Sequence, residues 1–248
     1  MFDQEQTKIV PGTANVIVDC NSVKWTVERF RQSFFYDLLL RLPLVIWSIL
    51  LAMVAGVGIA RYIAEAEHET TAVFAINVAM RLATIGFLIL LATVTIARMR
   101  PSGRAPGIEP RLSALLGTLL PSAVIFFPRH ELSPIAEVIS TVLILVGNAL
   151  SIFVLTQLGR AFSVMAEARQ LVATGVYRYV RHPLYLAEEI AIIGIYMQFI
   201  SIWTTLLIAA QFAFQLRRMH NEEAFLSQVL PDYLPYRERT ARLIPGIY

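Results

Sequence analysis

Long runs of apolar residues are the feature of this sequence that most restricts its fold. The first run covers residues 42–60, and the second covers residues 72–97 with Arg81 as its one charged residue. Two further runs cover residues 112–127 and 138–158. A helix needs about 20 mostly apolar residues to cross the hydrocarbon core of a bilayer, so each run has roughly the length of one crossing. The runs predict an all-α, polytopic transmembrane helix bundle.

The composition excludes the common alternatives. Charged residues make up 16% of the 248 residues, and hydrophobic residues make up 56%. A soluble domain carries about 25% charged residues, so this chain has too few charges to cover a water-facing surface. The single cysteine, Cys20, excludes an internal disulfide, and the 4 histidines are too far apart in sequence for a metal site. The sequence therefore predicts an integral membrane protein without a metal.

A fifth apolar run, residues 190–216, is long for one crossing and short for two. A turn near Ser201 would fold it into a helical hairpin, which gives about six crossings in all. In that arrangement 18 of the 21 lysines and arginines fall on the side of the N-terminus, while Arg61 and Arg129 lie on the other side. Because cytoplasmic segments are enriched in basic residues, the charges favour six crossings with both termini in the cytoplasm.

The chain divides into three predicted regions. Residues 1–41 form a cytoplasmic or interfacial N-terminal segment, and residues 42–158 form a four-helix transmembrane region. Residues 159–248 contain the hairpin and two polar stretches that face the cytoplasm. The net charge of +3 is explained by topology, and no basic motif for reading bases is present, so a nucleic acid partner is not expected.

The first polar stretch, GVYRYVRHPLY, covers residues 175–185. Pro183 suits the first turn of a helix, because its missing N–H group has no partner to lose there. Arg181 and His182 would then lie at the helix end where free N–H groups favour an anion. The alternative is that these basic residues only anchor the helix among lipid headgroups.

The second polar stretch covers residues 217–248 and begins where the last apolar run ends. Glu222 and Glu223 lie about one helical turn beyond that end. A carboxylate at this place can accept hydrogen bonds from ribose hydroxyls or pair with an ammonium group. Neighbouring residues on a helix point about 100° apart, so both glutamates are not expected to reach one ligand atom. The alternative is an ordinary solvated helix face.

The order of these elements is specific in combination. LGRAFS at residues 158–163 is followed by GVYRYVRHPLY, an apolar hairpin, the Glu-Glu pair and Tyr233-x-x-Tyr236. This order resembles the isoprenylcysteine carboxyl methyltransferase family, which is related to membrane phospholipid methyltransferases. The similarity covers roughly residues 159–245. The family usually has Gly-Pro-Tyr where this chain has Gly-Val-Tyr at residues 175–177, which is a small departure.

The resemblance implies S-adenosyl-L-methionine as the cofactor, held on the cytoplasmic face. It also implies a lipid-like or prenylated acceptor that enters from the bilayer, with methylation of a carboxylate oxygen favoured. The residues implied for the cofactor pocket are Gly175, Tyr177, Arg178, Arg181, His182, Pro183, Tyr185, Glu222, Glu223, Tyr233 and Tyr236.

The candidates for catalysis are Arg81, Arg181, Glu188 and Glu189. An anionic acceptor needs no general base. An amine acceptor needs one, and Glu188 or Glu189 would serve only if burial raised its pKa. Arg81 lies inside an apolar run, where an unpaired charge is costly. It is expected to bind an acidic acceptor, to pair with Glu188 or Glu189, or to extend toward the membrane interface.

Three other functions compete with this reading. Membrane sterol and steroid reductases, which use NADPH, also carry an Arg-His-Pro-x-Tyr element, but typically with Asn where this chain has Leu184. A phospholipid N-methyltransferase or a small-thiol S-methyltransferase would fit the same motifs. A membrane protein without enzymatic activity is the third alternative, although simple anchoring does not require His182, Tyr185 and Glu222 together.

Overall fold

The computed structural model describes residues 34–65 and 70–246, and the predicted N-terminal segment lies mostly outside these residues. Over the described ranges the chain forms seven α-helices: α1 (Phe34–Glu65), α2 (Thr71–Ala97), α3 (Glu109–Leu119), α4 (Pro134–Leu158), α5 (Pro183–Met197), α6 (Ile202–Val229) and α7 (Tyr233–Glu238). Residues from Arg41 onward form one compact unit, and the first described turns of α1 belong to a separate one.

Three of the described helices are long and apolar enough to cross a membrane. They cover the segments Asp37–Glu65, Thr71–Ala97 and Pro134–Ala161. They correspond to the first, second and fourth apolar runs of the sequence. The protein is therefore an integral membrane protein with a helical fold.

The predicted break in the fifth apolar run is confirmed. Helix α5 ends at Met197, and α6 begins directly after Ser201. Ser201 and Thr204 cap α6 reciprocally, since each side chain accepts a hydrogen bond from the backbone N–H of the other, at 3.1 and 2.9 Å. The pair thus satisfies two backbone donors that the helix start leaves without partners.

The predicted total of six crossings also requires α3, α5 and α6, which are not among the three long apolar helices. Helix α3 ends at Leu119, and Pro121 follows inside a 3-10 helix that covers Leu120–Phe126. Helix α5 has 15 residues, which corresponds to about 22 Å of rise, whereas a hydrocarbon core is about 30 Å thick. Any crossings beyond the three long helices therefore remain a prediction.

Glycines allow α4 and α5 to pack closely. A Cβ atom on Gly147 of α4 would lie 2.5 Å from the backbone nitrogen of Ala191 on α5. A Cβ atom on Gly194 of α5 would lie 2.7 Å from the carbonyl oxygen of Ser140 on α4. The Ser140 hydroxyl also donates to the Gly194 carbonyl at 2.8 Å. These contacts fix α5, and with it the polar segment that precedes α5, on α4.

Two short strands join distant parts of the chain. Strand β1 (Gly103–Arg104) pairs antiparallel with β2 (Glu167–Ala168). The pairing continues on both sides, where Ser102 donates to the Ala168 carbonyl at 2.8 Å and Ala105 donates to the Ala166 carbonyl at 2.9 Å. The segment after α2 is thereby held against the segment that leads to α5.

Arg81 does not pair with the glutamates of α5. Its guanidinium lies over the ring of Tyr62 on α1, 4.7 Å from the ring centroid. Glu188 instead accepts from Gln215 at 3.2 Å, and Glu189 accepts from Gln211 at 2.8 Å. The expectation of an ion pair between Arg81 and these carboxylates is therefore wrong. A ring face stabilises the charge by cation–π attraction instead.

Candidate functional site

A cavity lies where the segment before α5, the C-terminal half of α6, and α7 meet. Its empty volume, which includes the open mouth, is about 760 Å³. Residues 158–172 supply the remaining wall. Seven of the residues that the sequence implied for the cofactor pocket line it: Tyr177, Arg181, His182, Tyr185, Glu222, Tyr233 and Tyr236.

The segment before α5 reaches the cavity through a turn that requires glycine. Gly175 has φ +60°, and a Cβ atom there would lie 2.0 Å from Oε1 of Gln157. The same oxygen accepts a hydrogen bond from the backbone N–H of Val176 at 3.0 Å. Helix α5 then begins at Pro183 with His182 as its N-cap, as the sequence predicted. Gly175 therefore shapes the turn and does not line the cavity.

The C-terminal tail pairs with this segment along the backbone. Arg181 and His182 donate their N–H groups to the carbonyls of Ala241 and Arg242 at 2.9 and 3.1 Å. The Arg181 guanidinium also donates to the carbonyl of Arg237 at 2.8 Å and to the carbonyl of Thr240. These bonds hold the tail beside the cavity and bring the Arg242 side chain to the site.

Glu223 is the centre of a buried ionic cluster. Its Oε1 lies 2.9 Å from Nε of Arg181 and 3.0 Å from Nε2 of His182. Arg242 donates to both carboxylate oxygens, at 3.1 and 2.9 Å. Burial alone would raise the pKa of the Glu223 carboxyl, but the hydrogen bonds from His182 and Arg242 outweigh it and hold that pKa well below its ordinary value. Glu223 therefore acts as an anion that holds two guanidinium groups and the His182 imidazole.

Glu222 differs from its neighbour because it lines the cavity. Its Oε2 accepts a hydrogen bond from the hydroxyl of Tyr185 at 2.8 Å. Glu223 is not among the lining residues. The expectation that the two glutamates point in different directions thus agrees with their surroundings.

Three tyrosines close the cavity on the side of the tail. The rings of Tyr233 and Tyr236 meet edge to face with centroids 5.9 Å apart. The Tyr236 hydroxyl donates to the carbonyl of Tyr177 at 2.8 Å. Burial raises the pKa of Tyr236 to about 12, so its hydroxyl stays a neutral donor at physiological pH.

Several residues that the sequence singled out lie apart from the cavity wall. Pro183 and Tyr179 line an apolar groove beside the same segment, and the Arg178 guanidinium lies 5.9 Å from the centroid of the Tyr179 ring. Glu188 and Glu189 lie further along α5 and bond to glutamines of α6. Arg81 lies within α2, which ends at Ala97, and the distance between the two residues along the helix axis is about 24 Å.

Sequence reasoning missed a second ionic cluster, centred on Glu167. Its carboxylate lies 2.5 Å from Arg169, 3.0 Å from Arg104 and 3.9 Å from Arg98. The Ser163 hydroxyl donates to it at 2.8 Å. Glu167 and Arg169 both line the cavity. The sequence signal that could have revealed this cluster is Glu167 itself, because it is the one acidic residue in the family-like stretch of residues 159–181.

Residues 139–228 match the sequence model of the isoprenylcysteine carboxyl methyltransferase (ICMT) family. This segment, the family domain, spans 90 of the 248 residues. The match confirms the resemblance drawn from the motifs, and it includes Arg181, His182 and both glutamates of the pair. It begins in α4, so the close α4–α5 packing belongs to the domain. No curated protein matches the chain.

The family domain and the long apolar helices together indicate a membrane methyltransferase. Methyltransferases of the ICMT family generally use S-adenosylmethionine. The candidate site for methyl transfer is the cavity, which has the Arg-His-Pro-x-Tyr element on one side and Glu222 on the other.

Proposed function

We propose that this protein is an integral membrane methyltransferase that transfers a methyl group from S-adenosyl-L-methionine to a lipid-like or prenylated acceptor. Methylation of an acceptor carboxylate is the reaction that we favour. The observation that carries the proposal is the convergence of Arg181, His182, Tyr185 and Glu222 on one cavity, within the family domain.

The residues of the cavity fit the cofactor. S-adenosylmethionine has a carboxylate, an ammonium group, ribose hydroxyls and a flat base. The wall offers hydrogen-bond donors at Arg181 and His182, a carboxyl acceptor at Glu222, and aromatic surface at Tyr233 and Tyr236. Donors suit the carboxylate, and Glu222 suits either the ammonium group or the ribose. Aromatic faces suit the base and the sulfonium charge.

When bound, the cofactor supplies an electrophilic methyl group on a sulfonium sulfur. The residues contribute mainly by orientation, because an in-line displacement depends on placing the reacting atoms along one axis. The Glu223 cluster holds Arg181 and His182 in fixed positions, and Tyr185 fixes Glu222. The tyrosines and the tail exclude water from the same space. An acceptor carboxylate is already anionic, so no residue has to remove a proton from it.

An apolar groove supports a lipid-like acceptor. It lies between α4 and α5, with an empty volume of about 640 Å³, and its lining includes Phe153, Val180, Pro183 and Ile190. One short segment separates groove and cavity, because Val180 faces the groove while Arg181 faces the cavity. We propose that the hydrocarbon chain of the acceptor lies here, next to the reacting group.

A cytoplasmic position of the cavity and of both termini is part of the proposal. The cavity is formed by the segment after α4 and by the tail after the hairpin. These segments hold nine of the basic residues: Arg160, Arg169, Arg178, Arg181, Arg217, Arg218, Arg237, Arg239 and Arg242. Such an excess is typical of the cytoplasmic side. A reporter fused after Tyr248 should read cytoplasmic, and a lumenal or periplasmic reading would contradict this topology.

The cofactor assignment is tested by calorimetric titration of the purified full chain in detergent. Adenosylhomocysteine should bind, and NADPH should not. The reverse result would overturn the proposal and favour a reductase. The acceptor is then tested with methyl-labelled S-adenosylmethionine and three probes: N-acetyl-S-farnesylcysteine, vesicles containing phosphatidylethanolamine, and a small alkyl thiol. Label in the farnesylcysteine ester supports carboxylate methylation, and label only in one of the other probes would contradict it.

A further inference from the structure

The ring of Tyr185 contacts two other side chains. The imidazole of His182 stacks on it nearly parallel, at 8°, with ring centroids 5.2 Å apart. The guanidinium of Arg218, on α6, lies 4.6 Å from its centroid. A cation over the face of a tyrosine ring is attracted by the electron density of that face. Arg218 is therefore in direct contact with a residue that lines the cavity, although it does not line the cavity itself.

Two hydrogen bonds hold the Arg218 guanidinium in place. Its Nη1 donates to the hydroxyl of Thr118 at 3.1 Å and to Oε1 of Gln215 at 3.4 Å. The amide of the same glutamine donates to Glu188 at 3.2 Å, which places a carboxylate at the far end of the chain of hydrogen bonds. Arg218 is 4% exposed. A buried guanidinium needs such partners, because desolvation of an unpaired charge is costly.

The other end of this arrangement reaches the cavity. The Tyr185 hydroxyl, which the ring orients, donates to Glu222 at 2.8 Å. We propose that Arg218 is a positioning residue of the cofactor pocket: it presses the Tyr185 ring against His182 and thereby fixes the hydroxyl that orients Glu222. The inference rests on the proposed function, since it concerns the same pocket. It also gives Glu188 a role as the remote countercharge of Arg218.

The chain offers a matched control in the preceding residue. Arg217 has the same side chain, but that side chain is 55% exposed and pairs with Glu109 on α3 at 2.6 Å. It makes no ring contact with Tyr185. A solvent-exposed pair of this kind contributes little, because water and salt screen it. Arg217→Met therefore removes one positive charge at nearly the same place without touching the stack.

The first experiment compares the affinity of full-length variants for adenosylhomocysteine by calorimetry. Arg218→Met should raise the dissociation constant about tenfold, and Arg217→Met should leave it within about twofold of wild type. Arg218→Lys keeps the charge but loses the flat guanidinium, so we expect an intermediate change. Thr118→Val keeps the volume and removes one hydrogen bond from Arg218, so it provides a mild variant if Arg218→Met does not fold. Equal affinities for all four variants would overturn the proposal.

A double substitution separates positioning from general loss of structure. Tyr185→Phe keeps the ring and its contact with Arg218 but removes the hydroxyl that reaches Glu222. In that background, Arg218→Met should change the dissociation constant by less than about twofold, because the route to Glu222 is already absent. A full tenfold effect in both backgrounds would contradict the proposed route through Tyr185.

A measurement without the cofactor distinguishes this inference from the proposed function. In the full chain with carbon-13 in its tyrosine rings, the Tyr185 signal is the one that Tyr185→Phe removes. Arg218→Met should shift that signal, whereas Arg217→Met should not. An unmoved signal would overturn the stack itself. If the signal shifts but wild type binds no adenosylhomocysteine, the proposed function fails, and the role of Arg218 in cofactor binding fails with it.

Discussion

Two buried glutamates, Glu223 and Glu167, each bind several basic side chains beside one cavity. Each carboxylate has three of these side chains within 4 Å. The partners of Glu223 are Arg181 and His182, which precede α5 within the family match, and Arg242, which lies in the tail after the match ends. Those of Glu167 include Arg98 and Arg104, which follow α2 and lie outside the family match.

The difference separates a cluster that organises the site from one that joins parts of the fold. Glu223 fixes two residues that line the cavity, so its substitution should weaken ligand binding. The contacts of Glu167 with Arg98 and Arg104 depend on the pairing of β1 with β2. Its substitution should therefore first weaken the packing between the segment after α2 and the family domain. The Glu167 carboxylate is slightly better shielded, since its side chain is 3% exposed against 7% for Glu223. Two of its arginines, Arg98 and Arg169, are 4% and 1% exposed, whereas Arg104 is 24% exposed.

The largest effect should follow from Glu167→Gln. The substitution keeps the shape of the side chain but leaves three arginines without their carboxylate. Breaking a buried ion pair from one side costs about 3–5 kcal/mol, and the shielding at Glu167 places it in that range. Thermal and denaturant unfolding of the detergent-purified protein measure the loss.

Glu137→Gln is the matched control for this prediction. It removes an exposed pair with Arg129, at 3.3 Å, and we expect a change of less than about 0.5 kcal/mol. If Glu167→Gln were as stable as Glu137→Gln, the cluster around Glu167 would not stabilise the fold, and the distinction drawn between Glu167 and Glu223 would be wrong.

The next effect should follow from Glu222→Gln. Glutamine still accepts the hydrogen bond from Tyr185, so the fold should be kept, but the negative charge that faces the cavity is lost. A hydrogen bond to a charged partner contributes about 1.5–3 kcal/mol, so we expect at least a tenfold weaker affinity for adenosylhomocysteine. Calorimetry gives the affinity, and unfolding should stay within about 1 kcal/mol of wild type. If the variant lost stability but kept its affinity, Glu222 would support the fold and would not bind the ligand, which would contradict the role assigned to it.

The smallest effect is a difference in pH dependence at Glu223. The pKa of this carboxyl is lowered in the folded protein, so it contributes stability above its unfolded pKa of about 4.3 and loses that contribution as pH falls further. Glu223→Gln lacks the titrating group. Wild type should therefore be more stable than the variant near pH 7, and the gap should narrow below about pH 4.5. Melting temperatures from pH 7 to pH 3 test this, and a constant gap would contradict it.

The sequence predicted those parts of the structure that depend on neighbouring residues. Apolar runs predicted the long helices, and Pro183 marked the start of α5. The break at Ser201 followed from the length of one apolar run. The motif order predicted seven of the residues that line the cavity, because the hairpin returns α6 to the start of α5 and so brings Glu222 to Tyr185. Gly175, Arg178, Pro183 and Glu223 do not line it.

The parts that sequence reasoning missed depend on contacts between distant segments. Arg98 and Arg104 counted only as cytoplasmic charges, since nothing local indicates that β1 meets β2. Arg218 counted only as one more basic residue after the last apolar run, although it contacts the Tyr185 ring. The sequence left several possibilities open for Arg81, and its contact with the Tyr62 ring is one that a pattern of charges does not reveal.

The glycine contacts between α4 and α5 bear on how natural variants of this protein should be read. Gly147 and Gly194 lie along the helix pair, well away from the polar cavity, and neither carries a group that could bind a ligand. Yet a single added methyl group at either position would meet backbone atoms of the facing helix at under 3 Å. Backbone cannot move aside as a flexible side chain can, so α5 would have to shift, and its first residues carry His182 and Tyr185. A variant at either glycine should therefore be scored as harmful to activity, even though its position suggests an inert membrane helix.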